Sequence, residues 1–204
     1  GNHEHYGGRF EKTYDLMQEN LPAHVQLMEK ETVEYGLEHI DKIGSEFSFP
    51  HYPMGWAQAS NTPLKWFKRN THGGGIRAPL VVHWPAKILD RGGIRHQYHH
   101  VSDLVPTLLD TLNVRPPEVH QGHEQLPLHG ISMAYSFDQA NEPTRKQTQH
   151  FEMAGDRAIW HQGWKAVTRH NKGDDFDNDR WELHHLDQDF AEIEDLANQN
   201  PEKL

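Results

Sequence analysis

Cysteine is absent from the 204 residues, which excludes disulfides and thiolate metal sites within the chain and leaves its redox compartment unreadable. No basic run offsets the net charge of −10. That argues against nucleic-acid binding, because phosphate contacts need clustered lysine and arginine. No apolar stretch approaches the ~18 residues of a membrane span, so a membrane partner is not expected. The opening residues, GNHEHYGGRF, contain neither an initiator Met nor an apolar signal core and give no address. Apolar residues are scarce as well, at 35% of the chain with a mean hydropathy of −0.89. That is polar for an independent globular unit, and it is what a piece cut from a larger protein would show.

What is plentiful is histidine, with 18 residues. The spacing does not make a metal site of them. No His-Glu-x-x-His occurs, and His184 and His185 adjoin on a strand pattern, so their side chains face opposite ways. Solvated or core-satisfied histidine is the default reading, with a His-rich metal-binding module as the outsider. Asp174, Asp175, Asp177, Asn178 and Asp179 resemble part of a calcium loop, but Arg180 and Leu186 stand where that loop needs Gly and Glu. The run is therefore expected to be a solvated, self-repelling turn. No Gly-x-Ser-x-Gly elbow and no phosphate-binding glycine loop followed by Lys-Ser/Thr is present.

Along the chain, Gly1 to Gly8 reads as a loop. Asn20 and Pro22 open one amphipathic helix, or two broken near Gly36, carrying Val25, Met28, Val33, Leu37, Ile40 and Ile43, which Gly44 stops. Glu46 to Ala59, with Pro50, Pro53 and Gly55, reads as a loop anchored by rings. Pro79 to Pro85 is an apolar run between prolines and predicts a buried strand. Ser102 is expected to cap a helix to about Val114, burying Leu104, Val105, Leu108, Leu109 and Leu112. Arg115 to Glu142 reads as a linker. HFEM, RAIWHQ, WKAVTR and WELHHL then predict an antiparallel meander of about four strands, and Ala191 to Ala197 a closing helix.

The chain is organised around Gly55 to Pro79, GWAQASNTPLKWFKRNTHGGGIRAP. Asn61 or Thr62 can cap a helix starting at Pro63, and Gly73, Gly74 and Gly75 can end it. Lys68 would then sit in the last turn of that helix, at a corner where a fixed point charge can meet an anion. The same pattern equally describes a solvated lysine favoured by the helix macrodipole.

Asn61-Thr62-Pro63, Lys68 six residues before Gly74-Gly75, Ile76-Arg77-Ala78-Pro79 and Val81-Val82-His83-Trp84-Pro85 together resemble the sulfatase family. His100 to Leu109, Gly122 to Gly130, Arg157-Ala158-Ile159 and Gly163-Trp164-Lys165-Ala166-Val167 match it further and in the same order. The likeness runs from about Phe47 to the end and is strongest to bacterial arylsulfatases. It implies the C-terminal part of an alkaline-phosphatase-like α/β catalytic domain over residues 1–135. A small α+β domain over 136–204 would follow, incomplete at its end, with an antiparallel sheet of about four strands and a C-terminal helix.

By the same resemblance, Lys68 binds the sulfate group of a small-molecule sulfate ester. Gly74, Gly75 and Arg77 hold the corner's shape, and His51, Trp56 and His72 are candidates for a pocket rim. The family's nucleophile is formylglycine, made from Cys or Ser within Cys/Ser-x-Pro-x-Arg. The only Ser-x-Pro here, Ser48-Phe49-Pro50, continues with His51-Tyr52 and does not match. Nucleophile and calcium ligands are thus expected upstream of Gly1, in a missing N-terminal part, and the chain alone is expected to have no turnover. A phosphate- or phosphonate-ester hydrolase of the same superfamily, or a catalytically inactive fragment, is the alternative. Bacterial periplasmic, secreted and cytoplasmic locations all stay open.

Overall fold

The computed structural model describes residues 54–171 and 173–204 and, upstream, residues 9–10, 38, 40–42 and 48–49. The upstream elements are a two-stranded antiparallel pair, β1 (Arg9–Phe10) with β2 (Ser48–Phe49), and a 3₁₀ turn at Ile40–Lys42. The loop expected at Gly1 to Gly8 and most of the helix expected from Asn20 to Gly44 fall outside the described residues.

Helix α1 (Met54–Asn61) replaces the second half of the loop expected over Glu46 to Ala59. Ala57, Gln58 and Ala59 are strong helix formers, and burying Ala57 at 0% exposure outweighs the glycine at position 55. The helix expected from Pro63 to Gly73 does not form. Residues 62–72 are irregular, and the glycines themselves make the helical turn α2 (Gly73–Ile76). The strand expected at Pro79 to Pro85 is also not formed. That run pairs with no strand among the described residues, and Val81 is 90% exposed. An apolar run becomes a buried strand only when a sheet supplies its ladder partners.

A 3₁₀ turn at Val101–Asp103 leads into α3 (Leu104–Thr111), with Pro106 near its start where a missing N–H is cheap. The cap is not Ser102. His100 Nδ1 accepts the Ser102 N–H, and the Asp103 carboxylate accepts the His100 N–H. The face expected to be buried is instead exposed at Leu104, Val105, Leu108 and Leu112. Thr107 is the buried residue of α3. Within the expected linker, β3 (Val119–His120) and β4 (His123–Glu124) form a tight hairpin around Gln121-Gly122.

The meander is present: β5 (Thr148–Met153), β6 (Asp156–His161), β7 (Trp164–Thr168) and β8 (Trp181–His185) form one four-stranded sheet in that order. Its first two turns, Ala154-Gly155 and Gln162-Gly163, have positive φ at both residues. Those are the mirror-image turns whose twist suits a hairpin. In the β7–β8 register Lys165 faces His184 and Val167 faces Glu182, so these four share one side of the sheet. The acidic run between β7 and β8 is not merely solvated. Asp179 accepts from Arg157 at 2.6 Å and meets His170 at 3.1 Å. Burial raises its carboxyl, but His170 and Arg157 together hold it below the usual range. The closing helix expected at Ala191 to Ala197 is a series of turns, with one 3₁₀ turn at Pro201–Lys203. There the Asp195 carboxylate accepts the Leu183 N–H from β8 and the Ala197 N–H, the latter a donor that a helix would have committed to its own backbone.

The chain divides into two units. One holds residues 1–77, 151–158 and 163–204, the other residues 78–150 and 159–162. In the first, Ala57, Phe67, Val167 and Leu183 are buried apolar residues. In the second, Met133 and Trp160 are buried, and Tyr98 stacks on Trp160 with ring centroids 3.8 Å apart.

Candidate active site

Lys68 lies in a turn, not in a helix. The Phe67 carbonyl accepts both the backbone N–H of Asn70 and its side-chain amide, each at 3.1 Å. Lys68 and Arg69 are the central residues of this turn, and Arg69 carries φ +82°. That conformation suits glycine, so the surrounding packing holds it in place. Phe67 and Asn70 are each 2% exposed and fasten both ends of the turn, while Lys68 between them is exposed. Among the described residues no carboxylate pairs with Lys68.

The turn is bound to the glycines by contacts that only glycine allows. Gly74 donates its N–H to the Lys65 carbonyl at 2.8 Å. A Cβ on Gly74 would lie 1.8 Å from the Trp66 carbonyl oxygen, and one on Gly75 would lie 1.9 Å from that of Asn70. Close approach of backbone, more than helix termination, is what these two positions require. Asn61 completes the closure: its side-chain amide donates to the Trp66 carbonyl at 2.9 Å and to the Gly74 carbonyl at 3.0 Å. An asparagine side chain engaged across the loop in this way is not available to cap a helix at Pro63.

Beneath the loop, the sheet face of β7 and β8 carries charge. Glu182 accepts from Lys65 at 2.5 Å, and its other oxygen lies 3.5 Å from His72 Nε2. His184 Nε2 lies 3.3 Å from Glu182, and His184 Nδ1 donates to the Glu194 carbonyl at 2.7 Å. The His184 hydrogen bond and the nearby His72 ring, with Lys65 added, hold the Glu182 carboxyl far below the usual carboxylate range against the effect of burial. Lys165 and Glu192 form an ion pair in which both side chains are 1% exposed. Burial pushes the Lys165 pKa down, and Glu192 and Glu182 pull the other way. The second oxygen of Glu192 accepts the Gly73 N–H at 2.8 Å.

Of the residues singled out in sequence, Lys68, His72, Gly74 and Gly75 therefore share one loop. His72, expected at a rim, is fully buried. Arg77 is exposed, with its guanidinium 5.4 Å from the centre of the Phe190 ring. Trp56 is 67% exposed on α1, and His51 lies outside the described residues. Asn61, Lys65, Lys165, Glu182, His184 and Glu192 were not singled out as site residues. A signal existed for one of them. Lys165 occupies the inward-facing step of an otherwise apolar strand pattern, where an unpaired charge is not tolerated. Among the described residues no three His, Asp or Glu side chains converge where a metal ion could sit.

Residues 64–203 match the family described as N-sulphoglucosamine sulphohydrolase, C-terminal. The chain belongs to the sulfatase family. The matched span covers the Lys68 turn, the glycines, the sheet and Glu192. An uncharacterized sulfatase of Schizosaccharomyces pombe is 30% identical over 187 residues, covering 90% of this chain and 33% of that protein. An arylsulfatase of Klebsiella aerogenes is 28% identical over 116 residues, covering 56% of this chain and 24% of that enzyme. The crystal structure of Ps i-CgsB superposes with a TM-score of 0.52 at 25% identity, covering 69% of this chain and 29% of that one. This sulfatase chain thus spans a third or less of the length of these relatives.

Proposed function

We propose that the protein is a sulfuric ester hydrolase of the arylsulfatase type, and that this chain is its C-terminal portion. On this reading residues 1–135 complete the catalytic α/β domain and residues 136–204 form most of a small antiparallel-sheet domain. The substrate is a small-molecule sulfate ester. A formylglycine nucleophile, and calcium to neutralise sulfate oxygens, belong to sequence preceding Gly1. No residue of 54–204 is assigned to the metal.

The observation that carries this reading is the Lys68 turn within the matched span. An exposed ammonium stands between two buried anchors, in a loop whose backbone is closed by Asn61, Gly74 and Gly75. Hydrolysis of a sulfate ester develops charge on the sulfuryl and leaving-group oxygens. A cation already held in place stabilises that charge without reorganising during the reaction, and more strongly in a closed site than in water. In the full-length protein Lys68→Ala is expected to lower kcat/KM for an aryl sulfate by roughly 10²-fold, the usual scale for losing a preorganised donor. Turnover close to wild type would overturn the assignment. Faster hydrolysis of phosphate than sulfate esters would move the protein to the phosphoester branch of the superfamily.

A further inference from the structure

We infer that Glu192, carried on the buried Lys165 ammonium, is a positioning residue that sets the Lys68 loop from beneath. The inference rests on Lys68 being the sulfate-binding cation. Three costs meet at Glu192. Its charge is buried, it stands at φ +60°, and Lys165 opposite it is buried to the same degree. A buried ion pair is a weak source of stability, because well-packed apolar residues of similar volume often serve as well or better. A non-glycine residue in the left-handed region adds strain that its surroundings must hold.

What an apolar pair could not supply is an acceptor for the Gly73 N–H. Gly73 opens the turn α2, where a backbone donor has no partner within the turn, and it is buried. Glu192 Oε2 accepts that N–H at 2.8 Å while Oε1 is held by Lys165 on β7. The position of Gly73 passes to Lys68 through two contacts. Gly74 N–H reaches Lys65, and Gly75 backs onto the carbonyls of Phe67 and Asn70, the two ends of the Lys68 turn. Asp189 aims the carboxylate, since its side chain accepts the Glu194 N–H at 2.8 Å and its carbonyl accepts the Glu192 N–H at 3.2 Å.

Two double variants of the full-length enzyme separate positioning from stability. Lys165→Met with Glu192→Leu removes both charges and the acceptor. Lys165→Met with Glu192→Gln removes both charges and keeps an oxygen for Gly73. The Leu variant is expected to lose about tenfold in kcat/KM while melting within a few degrees of wild type, and the Gln variant to recover most of that loss. Equal activity of the two, or a folded Leu variant with wild-type turnover, overturns the inference. Adding Glu192→Leu and Lys165→Met to Lys68→Ala is expected to change kcat/KM no further. An additive loss would show that Glu192 acts elsewhere. A Lys68→Ala enzyme with normal turnover would instead remove the premise. Should the Leu variant fail to fold, hydrogen exchange in the wild-type protein still decides. Slow exchange of the Gly73 amide, on the scale of the β7 amides, is expected, and fast exchange overturns the link.

Discussion

The two units each bury a lysine–carboxylate pair, and the pairs are spent differently. In one, Asp103 at 0% exposure accepts from Lys146 at 2.9 Å, from the Ile131 N–H at 3.0 Å and from the His100 N–H at 2.8 Å. Its two backbone contacts go to holding the start of α3 and the passing 131 segment. Burial raises the Asp103 carboxyl, and these donors more than reverse it, so it stays ionised below the usual range. In the other, Glu192 gives one oxygen to Lys165 and one to the loop that presents an exposed lysine. In both pairs the oxygen not held by lysine accepts a backbone N–H; what differs is whether that backbone starts a helix or belongs to the loop that carries Lys68.

Breaking the first pair should have the largest effect. Asp103→Ala strands the Lys146 ammonium, 6% exposed, and two backbone donors, and is expected to cost about 3–5 kcal/mol, read by chemical denaturation. The loss would be one of stability alone, with no separate change in kcat for molecules that remain folded. Gly75→Ala comes next. Its Cβ must displace the Asn70 carbonyl from 1.9 Å, for an expected cost of about 3 kcal/mol together with a rise in KM for the sulfate ester. Lys68→Ala should be the reverse, with activity lost and Tm unchanged. If Gly75→Ala lowered Tm but left KM untouched, the loop would not deserve to be set apart from ordinary core.

The smallest expected effect concerns acid. The folded Glu182 carboxyl lies below its ordinary value of 4.5. Its contribution to stability is therefore full above that value and declines as pH falls beneath it. The difference in Tm between wild type and Glu182→Gln should be greatest near pH 7 and shrink below about pH 4.5. A constant difference from pH 7 to pH 3.5 would mean that the hydrogen-bonding shape of residue 182 matters and its charge does not.

The sheet could be read from sequence because its causes are local. Aromatic-rich runs of five or six residues alternate with glycine-containing turns, and each strand appeared where its run stood. The misread elements have distant causes. Asn61 carries a good capping side chain, yet its amide is committed to Trp66 and Gly74. Ile193 and Leu196 have helical spacing, yet Glu192 and Asp195 beside them are drawn to Lys165 and Leu183 on the sheet. Pro79 to Pro85 has strand composition without a ladder partner among the described residues. In the site, the Lys68 spacing was visible, but the carboxylates beneath it were not. Nothing near residues 182 or 192 in the sequence indicates that a lysine and a glycine wait for them.

The Gly73–Glu192 hydrogen bond joins residues 119 positions apart. A ribosome adding about 5–20 residues per second makes Gly73 roughly 6 to 24 seconds before Glu192 exists. During that interval the Lys68 turn can close on Asn61 and its own glycines, but it has nothing beneath it. Glu192 therefore acts as a completion mark for this turn. A nascent chain that has reached β8 but not Glu192 can pair its sheet and still leave the Lys68 loop unset.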